Sequence, residues 1–326
     1  MEAESGNKKF SLVELIRKID VLPYAHEVNR YGLFEKSTYK FLAHDGTLIG
    51  YMLPLVAERF KEHSDCVSVD EVARTVAIIP ALDTIESRNL KFKEIAEAWR
   101  SMNTFNILKG WRNELYVVYN PSHTPYLLVE RAFSMLLGVI TYGVHINGYI
   151  PPELSEDGKL KLWVPRRSYQ KPTYPGMLDN TVAGGMGYPY GVFETCVKEC
   201  YEEAGLDEAY VRENIKQNGV ISYIYQHEPE VYNNEFGLIQ PEVEFIFDLV
   251  MKPEKIPKPT DNEVQEFYLM GIDEVLTRLA NGEFKYNCAG VIIDFLIRHG
   301  YLTIGMELEY LEIVNRIHRR LPFPSI

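Results

Sequence analysis

The stretch GGMGYPYGVFETCVKECYEEAGL, residues 184–206, constrains this chain more than any other. The glycine pair Gly184-Gly185 follows the short run Thr181-Val182-Ala183, and Gly205 stands where a helix would end. The spacing predicts a strand, a turn and a helix over Val192 to Ala204 closed by a glycine C-cap. On that helix Glu199, Glu202 and Glu203 stand at i, i+3 and i+4, so three carboxylates share one face within side-chain reach. Like charges so spaced cost a helix roughly 0.2–0.5 kcal/mol per pair. A solvated face tolerates that repulsion. A hard divalent cation turns it into ligation, because Mg²⁺ or Mn²⁺ takes oxygen ligands and fills its remaining positions with water and phosphate oxygens. Cys196 and Cys200, at i,i+4 beside the acidic face, read as helix packing.

The rest of the composition limits the partners. Among 326 residues, 46 acidic side chains against 34 basic ones give a net charge of -12. That field repels nucleic-acid phosphates, so no nucleic-acid partner is expected, and an anionic small molecule would need divalent cations between itself and the carboxylates. The four cysteines, Cys66, Cys196, Cys200 and Cys288, include no CxxC pair. They suit free thiols in a reducing compartment, with the cytoplasm as the expected location and the nucleus open to a chain of this size. Met1 to Phe10 is polar, and no run approaches the roughly 18 apolar residues of a membrane helix, so no membrane segment is expected.

Periodicity organises the chain into two regions. In the first, SLVELIRKI over 11–19 predicts a capped helix with Leu12, Leu15, Ile16 and Ile19 on one face. Val67 to Leu82 reads as short buried strands joined by an acidic helical piece, Leu90 to Met102 as an amphipathic helix, and ELYVVY, from Glu114, as a strand. Leu127 to Leu137 is a helix, or a strand and then a helix. From Ile140 the texture becomes strand-rich, with ITYGVHINGYI and KLKLWVPRRS separated by turn residues. The boundary is placed at residue 135, giving 1–135 and 136–326. Further strands are expected over 219–225 and 243–250, and helices over 273–280, 289–299 and 306–321. Strands with interspersed helices make the fold α+β or an α/β/α sandwich.

The glycine–carboxylate stretch resembles the signature of Nudix hydrolases: a glycine followed at fixed distances by a basic residue, Glu, an aliphatic residue, two Glu, Gly and an aliphatic residue. Gly184, Lys198, Glu199, Cys200, Glu202, Glu203, Gly205 and Leu206 fill those places. Two positions depart. Lys198 stands for the usual Arg, keeping charge but losing the bidentate fork, and Tyr190 falls where the signature has a Glu. Glu194 sits one turn before Lys198 and can pair with it, while its offset of about 140° from Glu199 removes it from the metal-facing set. The resemblance implies a Nudix α/β/α sandwich with an additional N-terminal α+β domain, and a phosphoanhydride hydrolase that needs Mg²⁺ or Mn²⁺. It also implies metal ligation by Glu199, Glu202, Glu203 and a carbonyl near Gly184, with Glu202 in the catalytic group. Glu263 is the first candidate for general base and Asp261 the second, while Glu266 reads as an exposed strand residue.

Outside the box, WVPRRSYQKPTYPGMLDNTVAGG (163–185), PEVEFIFDL, DNEVQEFYLM and GEFKYNCAGVIIDFLIRHG resemble the thiamine-diphosphate type of Nudix protein, known from fungi and plants. That likeness implies conversion of thiamine diphosphate, and preferentially of oxothiamine and oxythiamine diphosphate, to monophosphates as metabolite repair. A nucleoside-diphosphate derivative such as ADP-ribose is the alternative substrate, and a non-enzymatic Nudix-fold binding protein the alternative class. For substrate contacts, Arg166 and Arg167 are adjacent in a strand and point to opposite faces, so one meets phosphate and the other solvent. His145 and Asn147 alternate on one side of a strand and are expected to line the cleft, which Lys171 and Tyr174 approach from a loop. Asp179 and Asn180 serve equally as turn formers. The sequence leaves an oligomer open.

Overall fold

The computed structural model describes residues 9–227 and 235–326. Residues 1–8, most of the polar N-terminal stretch read above, and 228–234 lie outside the described residues.

Helix α1 (Leu12–Ile19) begins at a capping box in which Ser11 and Glu14 exchange side-chain-to-backbone hydrogen bonds. After α2 (Val28–Ser37) come β1 (Tyr39–Leu42), β2 (Leu48–Met52), α3 (Pro54–Phe60), β3 (Val67–Asp70), β4 (Thr75–Ile78) and α4 (Ile85–Ser101). The strands form a sheet in the order β2-β1-β4-β3 with β1 and β4 parallel. The expected acidic helix between β3 and β4 is a turn instead. The Asp70 carboxylate accepts the Val72 and Ala73 N–H groups, 2.9 Å each, and this local bond outcompetes a helix of so few residues. Phe92, Ile95, Ala96 and Trp99 of α4 are buried in the core of this region, as the spacing predicts. A two-stranded sheet, β5 (Leu115–Tyr119) and β6 (Pro125–Glu130), then leads into α5 (Arg131–Leu137), whose first N–H groups are capped by Glu130.

The remaining strands build a second, larger sheet. They are β7 (Thr141–Ile150), β8 (Lys161–Arg167), β9 (Val182–Gly185), β10 (Ile215–Gln226), β11 (Ile239–Val250) and β12 (Val264–Gly271), in the order β10-β11-β7-β8-β12 with β9 on β7. Helices α6 (Val192–Ala204) and α7 (Glu208–Asn214) pack on one face through Cys196, Cys200 and Val211. The other face is covered by α8 (Ile272–Ala280), α9 (Tyr286–Arg298), α10 (Tyr310–Ile317) and α1. This is the α/β/α sandwich, with an additional mixed N-terminal region. The last helix is shorter than its periodicity suggests, because the chain leaves it at His318 to bridge Ser222 of β10. No helix among the described residues is long and apolar enough to cross a membrane.

Asp248 ties the sandwich together behind the cleft. Its buried carboxylate accepts from Arg298 Nη1 (2.5 Å) and Nη2 (3.1 Å), from Asn218 (2.7 Å) and from Asn147 (3.4 Å), and it lies 2.9 Å from His299 Nε2. Burial works against the charge, but His299, Arg298 and Asn218 outweigh it and hold the pKa down at about 2. Because the folded pKa lies below the ordinary value of 3.8, the contribution is present above about pH 4 and is lost as pH falls through about 2. Asp248→Asn is therefore expected to lower stability at pH 7 by about 3 kcal/mol. In urea unfolding, the gap to the unsubstituted protein should narrow by about 2 kcal/mol between pH 5 and pH 2.

Candidate active site

A cleft of about 440 Å³ opens where the glycine end of β9 meets α6 and the β5–β6 hairpin. Sheet register builds its floor. Glu244 of β11 pairs with Gly143 of β7, and Gly143 pairs in turn with Gly185 of β9. A Cβ on Gly143 would lie 2.2 Å from Glu244 Oε2, so the missing side chain leaves room for that carboxylate. Gly184 makes room in the same way for Glu199, whose Cδ would lie 2.4 Å from a Cβ there. Helix α6 ends at Gly205 with φ of 62°, the left-handed C-cap expected of it.

The structure places the three signature carboxylates on the cleft wall. Glu203 is buried and accepts the Ala183 N–H (3.1 Å), Glu199 is mostly buried, and Glu202 is half-exposed. Burial, Asp179 and Glu199 together push the Glu203 pKa well up; burial is the largest cause for Glu199 too, where Lys198 opposes it. The Lys198 ammonium bridges Glu199 Oε1 (3.2 Å) and Glu202 Oε2 (2.6 Å). It does not pair with Glu194, as the i,i+4 spacing had suggested; the carboxylates on its other side attract it more strongly. No group of three or more His, Cys, Asp or Glu among the described residues converges closely enough to hold an ion.

Of the other expected residues, some reach the cleft and some do not. Glu263 and Lys171 both line it and form an ion pair with each other, and Arg112 Nη1 lies 3.9 Å from Glu263. Burial alone would raise the Glu263 pKa, but Lys171 and Arg112 keep it below the usual range. Asp261 lines the cleft and also accepts the Glu263 N–H (2.8 Å), a turn contact. His145 lines the cleft, with Nδ1 2.7 Å from Asn180 and Nε2 3.6 Å from Glu244. Burial opposes its charge, yet the Glu244 carboxylate raises its pKa well above the ordinary value. Arg167 lines the cleft with Nε, Nη1 and Nη2 spent on Tyr174 O, Asp179 and Thr173 O, so it holds the loop in place. Arg166 is turned away to Tyr268 and the Gly176 carbonyl, and Asn147 is fully buried between Asp248 and Asn180. Neither of those two lines the cleft.

Two groups escaped the sequence reading. Glu242 and Glu244 lie on one face of β11, and Glu244 Oε2 is buried at the cleft without a hydrogen-bond partner among the described residues. The signal was present as acids alternating through the apolar run PEVEFIFDL. The N-terminal region also contributes Arg112, Glu114, Tyr116 and Arg131, which no local pattern could assign to a cleft built from residues far along the chain. A second cavity of about 230 Å³ adjoins the first and is lined by Tyr174, Tyr223, Tyr225, Tyr286 and His227.

A family model described as NUDIX domain matches residues 153–288, and another, described as a domain of unknown function (DUF4743), matches residues 20–141. The chain is 41% identical over 331 residues to the uncharacterized protein YJR142W of Saccharomyces cerevisiae, covering 99% of this chain and 95% of that protein. It is 31% identical over 312 residues to Nudix hydrolase 20, chloroplastic, of Arabidopsis thaliana, covering 92% and 79% of the two chains. Identity to Nudix hydrolase 24, chloroplastic, of the same plant is 32% over 272 residues, covering 83% and 70%. The chain belongs to the Nudix hydrolase family. It is an enzyme, a hydrolase acting on phosphoanhydride bonds.

Nudix hydrolases generally use divalent ions such as Mg²⁺ or Mn²⁺, and the residues of this cleft fit such an ion. Every acidic donor on the wall is an oxygen, Glu244 Oε2 is orphaned, and burial drives the Glu199 and Glu203 pKa values up, a tension that a cation would relieve. Lys198 holds the Glu199–Glu202 pair together.

The glycine pair supplies a test of this Nudix cleft. A Cβ on Gly185 would lie 2.2 Å from the Tyr116 hydroxyl and 3.2 Å from its Cζ. Gly185→Ala is expected to cost about 1–3 kcal/mol in thermal or chemical unfolding. Adding Tyr116→Phe removes the clashing oxygen and should recover much of that loss.

Proposed function

We propose that this Nudix hydrolase is a Mg²⁺-dependent diphosphatase of thiamine diphosphate and, preferentially, of its oxidised analogues oxothiamine and oxythiamine diphosphate. It would release monophosphates in cytoplasmic metabolite repair, with residues 136–326 as the catalytic region and 1–135 as the accessory one. The observation that carries the substrate reading is the tyrosine-lined cavity opening beside the acidic cleft. A diphosphate held at the acidic wall would leave its organic end in a chamber suited to stacking a heteroaromatic ring.

Glu199, Glu202, Glu203 and the Gly184 carbonyl would hold the divalent ion. When bound, that ion neutralises diphosphate oxygens and lowers the pKa of a bound water. The chain itself contributes the proton acceptor. Glu263, the first candidate from sequence, must release Lys171 and Arg112 before it can accept a proton. Burial would raise the Glu244 pKa, and His145 holds it below the ordinary carboxylate range too, but both His145 and Tyr223 meet Oε1 and leave Oε2 without a hydrogen-bond partner among the described residues at the cleft. We therefore place Glu244 first as base and Glu263 second.

Product analysis with Mg²⁺ on oxothiamine, oxythiamine and thiamine diphosphates and ADP-ribose, at equal concentration, tests the substrate. Fastest monophosphate release from the oxidised thiamine compounds is expected, and preference for ADP-ribose would remove the thiamine assignment. Glu202→Gln should lower kcat at least about a hundredfold, some 2.7 kcal/mol, with an unchanged melting temperature. Full activity in that variant would sink the proposed metal face. Glu244→Gln should cost more in kcat than Glu263→Gln, and the reverse order would restore Glu263 as base.

A further inference from the structure

The accessory region does more than sit beside the catalytic sheet. Its β5–β6 hairpin is docked on the glycine turn that leads into α6. The Tyr188 N–H donates to the Leu115 carbonyl (2.7 Å), and a Cβ on Gly187 would lie 2.5 Å from Glu114 Oε1. Arg131 opens α5 at the end of the same hairpin. Its backbone N–H donates to the Glu114 carbonyl (2.8 Å) and Nη1 to Glu114 Oε2 (3.0 Å), so both the backbone and the guanidinium are anchored. The guanidinium stands against the glycine pair, with Nη1 3.6 Å from where a Gly185 Cβ would lie. Arg112, whose N–H donates to Glu130 (2.7 Å), reaches the cleft from the same side.

A diphosphate presents anionic oxygens in several directions, and an acidic helix can serve them only through cations. The oxygens turned away from that helix need positive donors of their own. Most cations on the cleft are engaged elsewhere. Lys198 is held by Glu199 and Glu202, Lys171 by Glu263, and Arg167 by Asp179 and two carbonyls, while Lys285 lies against the Tyr174 ring. A guanidinium has five N–H donors. Among the described residues Glu114 is the one acceptor engaging the side chain of Arg131, which leaves donors to serve a phosphate. Arg131 also lines both the acidic cleft and the tyrosine chamber, so it stands where the phosphates and the organic group of one substrate would join.

We infer that the N-terminal region supplies the diphosphate-binding guanidinium of this enzyme, Arg131, with Arg112 beside it, opposite the carboxylate helix. The region matched by the domain of unknown function thereby forms the second wall of the substrate site. The inference rests on the phosphoanhydride reading of the cleft above, and its test separates the two. In the full chain, Arg131→Met keeps the stem and removes the donors, Arg131→Lys keeps the charge without the fork, and Arg112→Ala probes the neighbour. The probe is methylenediphosphonate, a non-hydrolysable diphosphate, titrated calorimetrically in Mg²⁺, together with kcat and KM for thiamine diphosphate and Mn²⁺ binding alone by paramagnetic resonance.

Arg131→Met should weaken diphosphonate binding tenfold or more and raise KM more than it lowers kcat. Arg131→Lys should recover part of the loss, Arg112→Ala should show a smaller one, and Mn²⁺ affinity and melting temperature should hold. Wild-type diphosphonate affinity in Arg131→Met, or a loss matched by equal loss of Mn²⁺ binding and of melting temperature, would overturn the inference. An inactive Glu202→Gln beside an unaffected Arg131→Met refutes the arginine wall and leaves the metal face standing. A fully active Glu202→Gln beside a weakened Arg131→Met does the opposite.

Discussion

The cleft depends on keeping several carboxylates close together where water does not reach all of them. Glu199, Glu203 and Glu244 are buried or nearly so, and Glu202 completes the helix face. Isolated buried charges cost far more than the roughly 0.2–0.5 kcal/mol of repulsion along a solvated helix. The protein answers each one differently. Lys198 bridges two, a backbone N–H meets Glu203, and His145 with the Tyr223 hydroxyl meets one oxygen of Glu244. One oxygen of Glu244 has no hydrogen-bond partner among the described residues.

That arrangement comes from the sheet as much as from the helix. Parallel pairing of β11 with β7 and antiparallel pairing of β9 with β7 put Glu244, Gly143 and Gly185 in one row across three strands. A side chain at Gly143 would collide with the Glu244 carboxylate, and one at Gly184 with Glu199. The glycines therefore act as spaces that acids from other elements occupy. A one-residue slip of the β11–β7 pairing would turn Glu244 to the opposite face of the sheet and dismantle the site without touching the signature helix.

This explains what sequence could and could not reveal. Helix α6, its Gly205 cap, the strand before the glycine pair and the Glu199, Glu202, Glu203 face are local: period, cap and spacing all lie within about two dozen consecutive residues. The capping box of α1 and the apolar stripe of α4 are legible for the same reason. The Asp70 turn was misread because one side-chain acceptor decides it, and hydrophobic period does not register that bond. Arg166 and Arg167 diverge, as adjacent strand residues do, but a strand cannot announce that Arg167 will be consumed by Asp179 and two loop carbonyls. Asn147 looked like a cleft residue by alternation; its partner Asp248 lies 101 positions away, and only the fold joins them.

The dependence between the two regions runs in both directions, and it begins with α1. That helix lies first in the described chain yet packs with α9 and α10, under the sheet that later residues form. Gly290 of α9 permits the approach: a Cβ there would stand 2.8 Å from Ile19 Cδ1. The Arg316 and Arg319 side chains near the C-terminus close on the buried Asp20 carboxylate directly after α1, each at 3.1 Å. The catalytic core is thus finished by the first residues of the chain, while the cleft wall is finished by the hairpin around Arg131. A chain so threaded completes its sandwich only with contacts such as that of Asp20 with Arg316, 296 positions apart, and each such closure carries its own entropy cost. Both α1 and the hairpin lie before residue 135, so a cut there would remove the contacts of both. It would leave a sheet with one face partly uncovered and a glycine turn with nothing docked upon it.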